Sequence, residues 1–174
     1  MNKLSSIFSL GLIFLLFSSC APDLTEEIEA AYDGCYTVDG NMWSPKASST
    51  MNWSDAIDYC NNLTACGYSD WHLPTISELR TLIQNCSETQ TGGSCGVTDS
   101  CLSYSECQNI SACNGCGFDD SGKYSKLGDD DDVWLWWSSS TRSDGTDGVW
   151  IVGFDYGYVG NGYKSNNFNV RCVR

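Results

Sequence analysis

Basic residues are scarce in this chain. Nine Lys and Arg stand against 22 Asp and Glu, a formal net charge of −13. That balance repels phosphate backbones and excludes nucleic acid as a partner. Histidine occurs once, at His72. With no second His and no Ser-His-Asp set, a nucleophilic hydrolase lacks its usual general base. Long apolar runs are also missing. The one run at the start, residues 4–17, falls short of the roughly 20 residues that span a bilayer. Aliphatic residues thin out between Cys86 and Lys126, a stretch that instead holds Cys, Ser, Gly and Asn.

What is present begins with that first run. Met1-Asn2-Lys3 precedes it and Ser18-Ser19-Cys20 follows it, the layout of an export signal. Phe17-Ser18-Ser19-Cys20 resembles the lipobox of bacterial lipoproteins, with Phe17 in place of the usual Leu. The resemblance implies a signal over residues 1–19, lipidation at Cys20, and attachment to a membrane through the N-terminal lipid. Ala21, rather than Asp, directs such proteins to the outer membrane, so the expected location is the cell envelope. Residues 20–32, with Glu26, Glu27 and Glu29, read as an acidic tether, and residues 33–174 as the domain.

Setting Cys20 aside leaves ten of the eleven cysteines. An even number in an oxidising compartment indicates a disulfide framework, whose connectivity spacing alone leaves open. Residues 34–43 read as a strand and turn around Gly40-Asn41. Residues 51–63 form a first helix capped by Asn52, with Trp53, Ala56, Ile57, Cys60 and Leu63 on one face. Thr75-x-x-Glu78 is a capping box that opens a second helix with a buried stripe of Ile76, Leu79, Leu82 and Ile83. The segment at about 86–126 reads as an insertion pinned by its own disulfides. Strands follow at 133–138, 148–154, 158–163 and 168–173, with turns at Asp155-Tyr156-Gly157 and a hairpin signal at Asn161-Gly162. The order is that of an α+β domain.

Four blocks carry a family resemblance. They are Trp53-Ser54-Asp55-Ala56-Ile57-Asp58-Tyr59-Cys60, Gly67 through Leu79 around Trp71-His72-Leu73-Pro74-Thr75, Trp137-Ser138-Ser139-Ser140-Thr141, and Val170-Arg171-Cys172-Val173-Arg174. In this order the chain resembles the DUF1566 family, which includes the C-terminal domain of the Legionella collagen-like adhesin. It is similar to the Fibrobacter paralogous-domain proteins and, more distantly, to formylglycine-generating enzymes. The resemblance implies a C-type-lectin-like fold, two helices packed on a small twisted antiparallel sheet. It marks Trp53, Trp71, Leu73, Pro74, Thr75, Glu78, Leu79 and Trp137 as fold positions. It also implies a disulfide between Cys60 and Cys172, a closure worth about 4–5 kcal/mol in the chain-entropy model. His72 stands where the family usually has Arg, and the insertion lies outside the core motif.

Several groups invite a chemical reading. Trp71-His72-Leu73-Pro74 with Glu78 looks catalytic, but core packing and helix capping account for it. Cys113-x-x-Cys116 has redox or zinc spacing, with Cys101 and Cys107 as further ligands; a structural disulfide is the favoured reading. Asp129, Asp130, Asp131 and Asp132, with Asp119, Asp120, Asp144 and Asp147 elsewhere, offer oxygen ligands for calcium but no EF-hand spacing, and a solvated acidic loop is the favoured alternative. Trp134, Trp136, Trp137, Trp150, Tyr156, Tyr158 and Tyr163 lie in the strand region, where alternation turns about half of them outward. Trp150, Tyr156 and Tyr158, beside Asn161, Asn166 and Asn167, are the candidate ligand-binding residues, since rings and amides suit sugar faces and hydroxyls.

The expectation is therefore a lipid-anchored, non-enzymatic surface protein with a lectin-like domain for an extracellular glycan or protein. No cofactor is expected, calcium being the one candidate ion. The alternatives are a structural envelope lipoprotein and a divergent oxidase of the formylglycine-generating type.

Overall fold

A computed structural model describes residues 34–128, 134–145 and 147–174. The signal, Cys20, the tether and the candidate calcium ligands Asp129 to Asp132 lie outside the described residues.

Asp39 and Gly40 both take positive φ (50° and 87°), the backbone of a tight two-residue turn. They fold β1 (Tyr36–Val38) onto β2 (Asn41–Trp43). Helix α1 (Trp53–Asn62) starts where the Asn52 side chain accepts the Asp55 N–H at 3.0 Å. Its buried face is Ala56 and Cys60, with Trp53, Ile57 and Leu63 packed partly beside them. Helix α2 (Ile76–Arg80) starts at a complete capping box. The Glu78 N–H donates to Thr75 Oγ1 and the Thr75 N–H to the Glu78 carboxylate, at 3.2 and 2.8 Å. The helix ends at Arg80, yet the turns that follow keep Leu82 and Ile83 on the same buried stripe as Ile76 and Leu79.

Two one-turn helices, α3 (Tyr104–Cys107) and α4 (Ile110–Cys113), lie in the cysteine-rich segment. The main sheet is an antiparallel meander of β3 (Leu135–Thr141), β4 (Gly148–Gly153) and β5 (Tyr158–Tyr163), in that order. Strand β4 is central and buried at every residue. The chain end joins the two sheets. Met42 and Arg174 exchange both backbone hydrogen bonds at 3.0 Å, His72 and Val173 do the same, and Asn169 bonds to Leu135 and Trp137 of β3.

The ten cysteines of the described residues form five bridges: Cys35–Cys66, Cys60–Cys172, Cys86–Cys116, Cys95–Cys113 and Cys101–Cys107. Cys60–Cys172 ties α1 to the chain end across 112 residues. The architecture is α+β, with small antiparallel sheets, short helices and several disulfides.

Two local expectations need correction. Asn161-Gly162 makes no hairpin: both residues sit inside β5, paired with Trp150 and Val149. The ladder to β4 satisfies their backbone groups, and the chain reverses at the expected turn, Asp155 to Gly157. Residues 168–173 form single bridges rather than a strand, because their partners alternate between the 42–51 segment, His72 and β3. The segment at 86–126 carries three bridges of its own, Cys86–Cys116, Cys95–Cys113 and Cys101–Cys107, and also packs into the core. Cys86, Cys95, Val97, Cys107, Cys113 and Tyr124 are buried in the same cluster as Trp43, Leu79, Trp136 and Trp150.

Candidate functional site

The most aromatic surface grows from the β4–β5 turn, Asp155-Tyr156-Gly157. Gly157 takes φ +63°, and its Cα packs so closely that a Cβ would lie 3.2 Å from both Cys86 Cβ and the Tyr124 ring. The Thr89 hydroxyl donates to Gly157 O. From the other side, the Cys116 N–H donates to Tyr156 O at 2.8 Å and the Asp119 N–H to Asp155 O at 2.7 Å. Gly115, at φ +83°, permits this approach, since a Cβ there would lie 2.2 Å from Tyr156 O. Two loops of the cysteine-rich segment thus clamp the turn, and Cys86–Cys116 joins them.

On this base stands a row of rings. Phe118 packs on Tyr156 (centroids 5.4 Å apart), and Tyr156 meets Tyr158 edge-on at 6.5 Å. The Tyr158 ring lies over the backbone of Gly153 and Gly160, where any Cβ would collide with it. Trp134, just before β3, closes the far side. Together Asn114, Trp134, Leu135, Asp155, Tyr156 and Tyr158 line an open cleft of about 460 Å³. Trp134 is 66 % exposed, Phe118 63 % and Tyr156 40 %. Large exposed rings in contact with one another are uncommon on a surface without a binding role.

Among the described residues lining the cleft, Asp155 brings its carboxylate. Burial pushes the Asp155 pKa up from the ordinary value. Burial and the neighbouring Asp155 charge push the Tyr158 phenol up to about 12. The groups on offer are ring faces, an amide and oxygen acceptors.

Trp134 and Leu135 also wall a second cleft of about 300 Å³, shared with Thr50, Asn167, Phe168 and Asn169. A third, of about 380 Å³, is lined by Asp39, Gln84, Gln90 and Lys126 among others and carries no aromatic ring.

The Lcl C-terminal domain profile matches residues 37–174. The chain belongs to that family. Among curated proteins none matches the sequence. A solved structure titled "Crystal structure of CEL-IV" aligns over 81 % of this chain and 91 % of that chain, at 16 % identity and a TM-score of 0.35, a likeness too slight to carry an argument.

Within this Lcl C-terminal domain the candidate ligand residues separate. Tyr156 and Tyr158 line the larger cleft, and Asn167 the smaller. Asn161 lies in β5, where its side chain accepts from Arg142 at 3.5 Å. Asn166 is exposed in the turn after β5 and lines neither cleft. Trp150 is a correction. It is fully buried, its indole N–H donates to Leu102 O at 3.1 Å, and it belongs to the core. Sequence reasoning missed Trp134, Phe118, Asn114 and Asp155 as partners in one site.

The fold positions hold the frame. Trp71, Leu73, Pro74, Leu79 and Trp137 are buried. The Trp53 indole donates to Ser138 O at 2.9 Å and that of Trp137 to Met51 O at 2.8 Å, joining α1 and its lead-in to β3. His72, standing for the usual Arg, places Nε2 3.2 Å from both Glu78 oxygens. Cys113 and Cys116 are not each other's partners: they bond to Cys95 and Cys86. Glu88 reaches Cys116 Sγ at 3.2 Å, but with Cys86 and Cys116 bonded to each other no thiolate is available there to hold a metal.

Proposed function

We propose that this Lcl C-terminal domain is a non-enzymatic, lectin-like adhesive module that binds glycan, displayed on the cell envelope by a lipid on Cys20. The observation that carries the reading is the pair of exposed rings Trp134 and Tyr156, the latter packed against exposed Phe118, at a cleft that also offers Asp155 and Asn114. Ring faces cover the apolar faces of sugars, while carboxylate and amide take the hydroxyls. The disulfide-clamped loops hold the Tyr156 turn in place before a ligand arrives, which lowers the entropy cost of binding.

Two helices beside a small antiparallel sheet, with α1 tied to the chain end by Cys60–Cys172, accord with a C-type-lectin-like scaffold. The signal-like start and the five bridges accord with export, since disulfides persist in oxidising compartments.

The test is a glycan array probed with the protein and with Trp134→Ala. Binding to defined glycans that the exposed substitution abolishes, with the melting temperature unchanged, supports the reading. Binding that survives loss of Trp134 defeats it. Radiolabelled palmitate incorporated into the wild type and not into Cys20→Ser tests the anchor.

A further inference from the structure

The two clefts that share Trp134 need not be independent. Trp134 and Leu135 line both, so the indole stands as a partition between a site holding Asn114, Asp155, Tyr156 and Tyr158 and one holding Thr50, Asn167, Phe168 and Asn169. At about 460 and 300 Å³, each lies in the range of small-molecule sites. Together they offer more room than a single sugar ring occupies. Both repeat one design, an aromatic ring next to polar oxygen and amide groups: Tyr156 and Tyr158 with Asn114 on one side, Phe168 with Asn167 and Asn169 on the other.

We infer that these clefts are consecutive subsites for one linear, uncharged glycan chain that passes over Trp134, rather than a pocket for a terminal sugar. This rests on the glycan reading above and narrows it. Charge decides the class of glycan. Among the described residues neither cleft is lined by a Lys or Arg, and the larger holds the Asp155 carboxylate. The whole chain carries −13. Sulfates and uronates would meet repulsion with no cation to answer it. Amides are indifferent to charge and both donate and accept, which suits neutral hydroxyls.

The bridging geometry has a second basis in the fold. Asn169 donates its backbone N–H to Leu135 O at 2.9 Å, so the chain end that supplies Asn167 and Phe168 is fixed to the start of β3. The Phe168 ring is itself held, packed on Trp137 at 4.4 Å and over Gly162, where a Cβ would lie 2.5 Å from it. The smaller subsite is therefore fixed to the start of β3, where its wall meets that of the larger one.

The experiment uses the full-length protein in a sugar-free non-ionic detergent. Titrations use β-1,4-glucose, β-1,4-xylose, β-1,4-N-acetylglucosamine and α-1,4-glucose oligomers of one to six units, with heparin oligosaccharides as the anionic counterpart. Calorimetry gives the Kd, and the fluorescence change lost in Trp134→Phe reports contact with that ring. In at least one neutral series the Kd should fall tenfold or more from one to four units and then level off. Asn167→Ala, a change at an exposed side chain, should weaken the tetramer several-fold and leave the shortest binding oligomer unaffected, while Tyr156→Ala weakens both. Equal affinity for one and six units, indifference of the long oligomers to Asn167→Ala, or preference for heparin would each overturn the subsite inference while the glycan reading stood. Failure of every sugar at every length would remove both and leave a protein ligand.

Discussion

The ring of Tyr158 occupies the space that a side chain at Gly153 would need. A Cβ on Gly153 would lie 2.1 Å from Tyr158 Cε1 and 2.9 Å from an Asp155 carboxylate oxygen. The floor of the larger cleft thus exists because β4 carries no side chain there. Gly153→Ala should displace the ring into the cleft. It should cost about 1–3 kcal/mol, the usual range for overpacking a tight site, and weaken ligand binding more than it lowers the melting temperature. Gly145→Ala is the control: its Cβ would meet nothing closer than 3.7 Å. Equal melting temperatures for the two variants would show that the ring is not seated as described.

How much of this was legible beforehand follows the physics of each element. Asn52 and Thr75 declared their helices because caps are local chemistry, and the stripes behind them survived even where α2 gave way to turns. Trp150 was misplaced because alternation assumes a strand with one wet face, whereas β4 is covered on both. Asn161-Gly162 looked like a hairpin because turn propensity is scored without knowledge of the ladder that absorbed it. The clamp on Tyr156 and Gly157 was invisible, since it joins residues 86–119 to residues 155–157 through backbone groups that carry no sequence label. Trp134 was passed over because it precedes its strand, and its role comes from sharing two clefts.

The bridges should differ in worth by loop length. Cys60–Cys172 encloses 112 residues and Cys101–Cys107 only six. The chain-entropy relation gives about 5 kcal/mol for the first and about 2 kcal/mol for the second. Double Ala variants, unfolded in denaturant, should reproduce that order. Equal losses would mean that something other than closure entropy governs stability here.

Arg80 should matter more than any other charged residue for the cysteine-rich segment. It is 3 % exposed, at the end of α2, and its guanidinium donates to Thr89 O at 2.8 Å, to Gln90 O at 3.0 Å and to Val97 O. Burial pulls its pKa down, but three carbonyls satisfy the planar group, a geometry that Lys does not reproduce. Arg80→Met strands buried acceptors and should cost about 3–5 kcal/mol, the range for breaking a buried charged network. Arg80→Lys should fall between Met and wild type. Hydrogen exchange should show lost protection centred on residues 89–97. Protection lost evenly across the domain would point to a general packing role instead.

Two carboxylates should tilt the pH dependence of stability in opposite directions. Burial raises the Asp155 pKa above 3.8, so the folded domain holds that proton more tightly than the unfolded chain does. Its contribution is full below 3.8 and is lost as the pH climbs through the raised value. Arg174 grips Asp70 at 2.7 and 3.0 Å and lowers its pKa. That contribution is present above 3.8 and is lost as the pH falls through the lowered value. Asp155→Asn should therefore melt above the wild type at neutral pH and converge with it in acid. Asp70→Asn should melt below the wild type at neutral pH and converge with it in stronger acid. Melting curves from roughly pH 2 to pH 8 test both, because linkage fixes the sign of each difference. An Asp155→Asn variant less stable than the wild type at neutral pH would mean that the carboxylate is held by a favourable partner, and the cleft would then have to be read as a site that recognises cations.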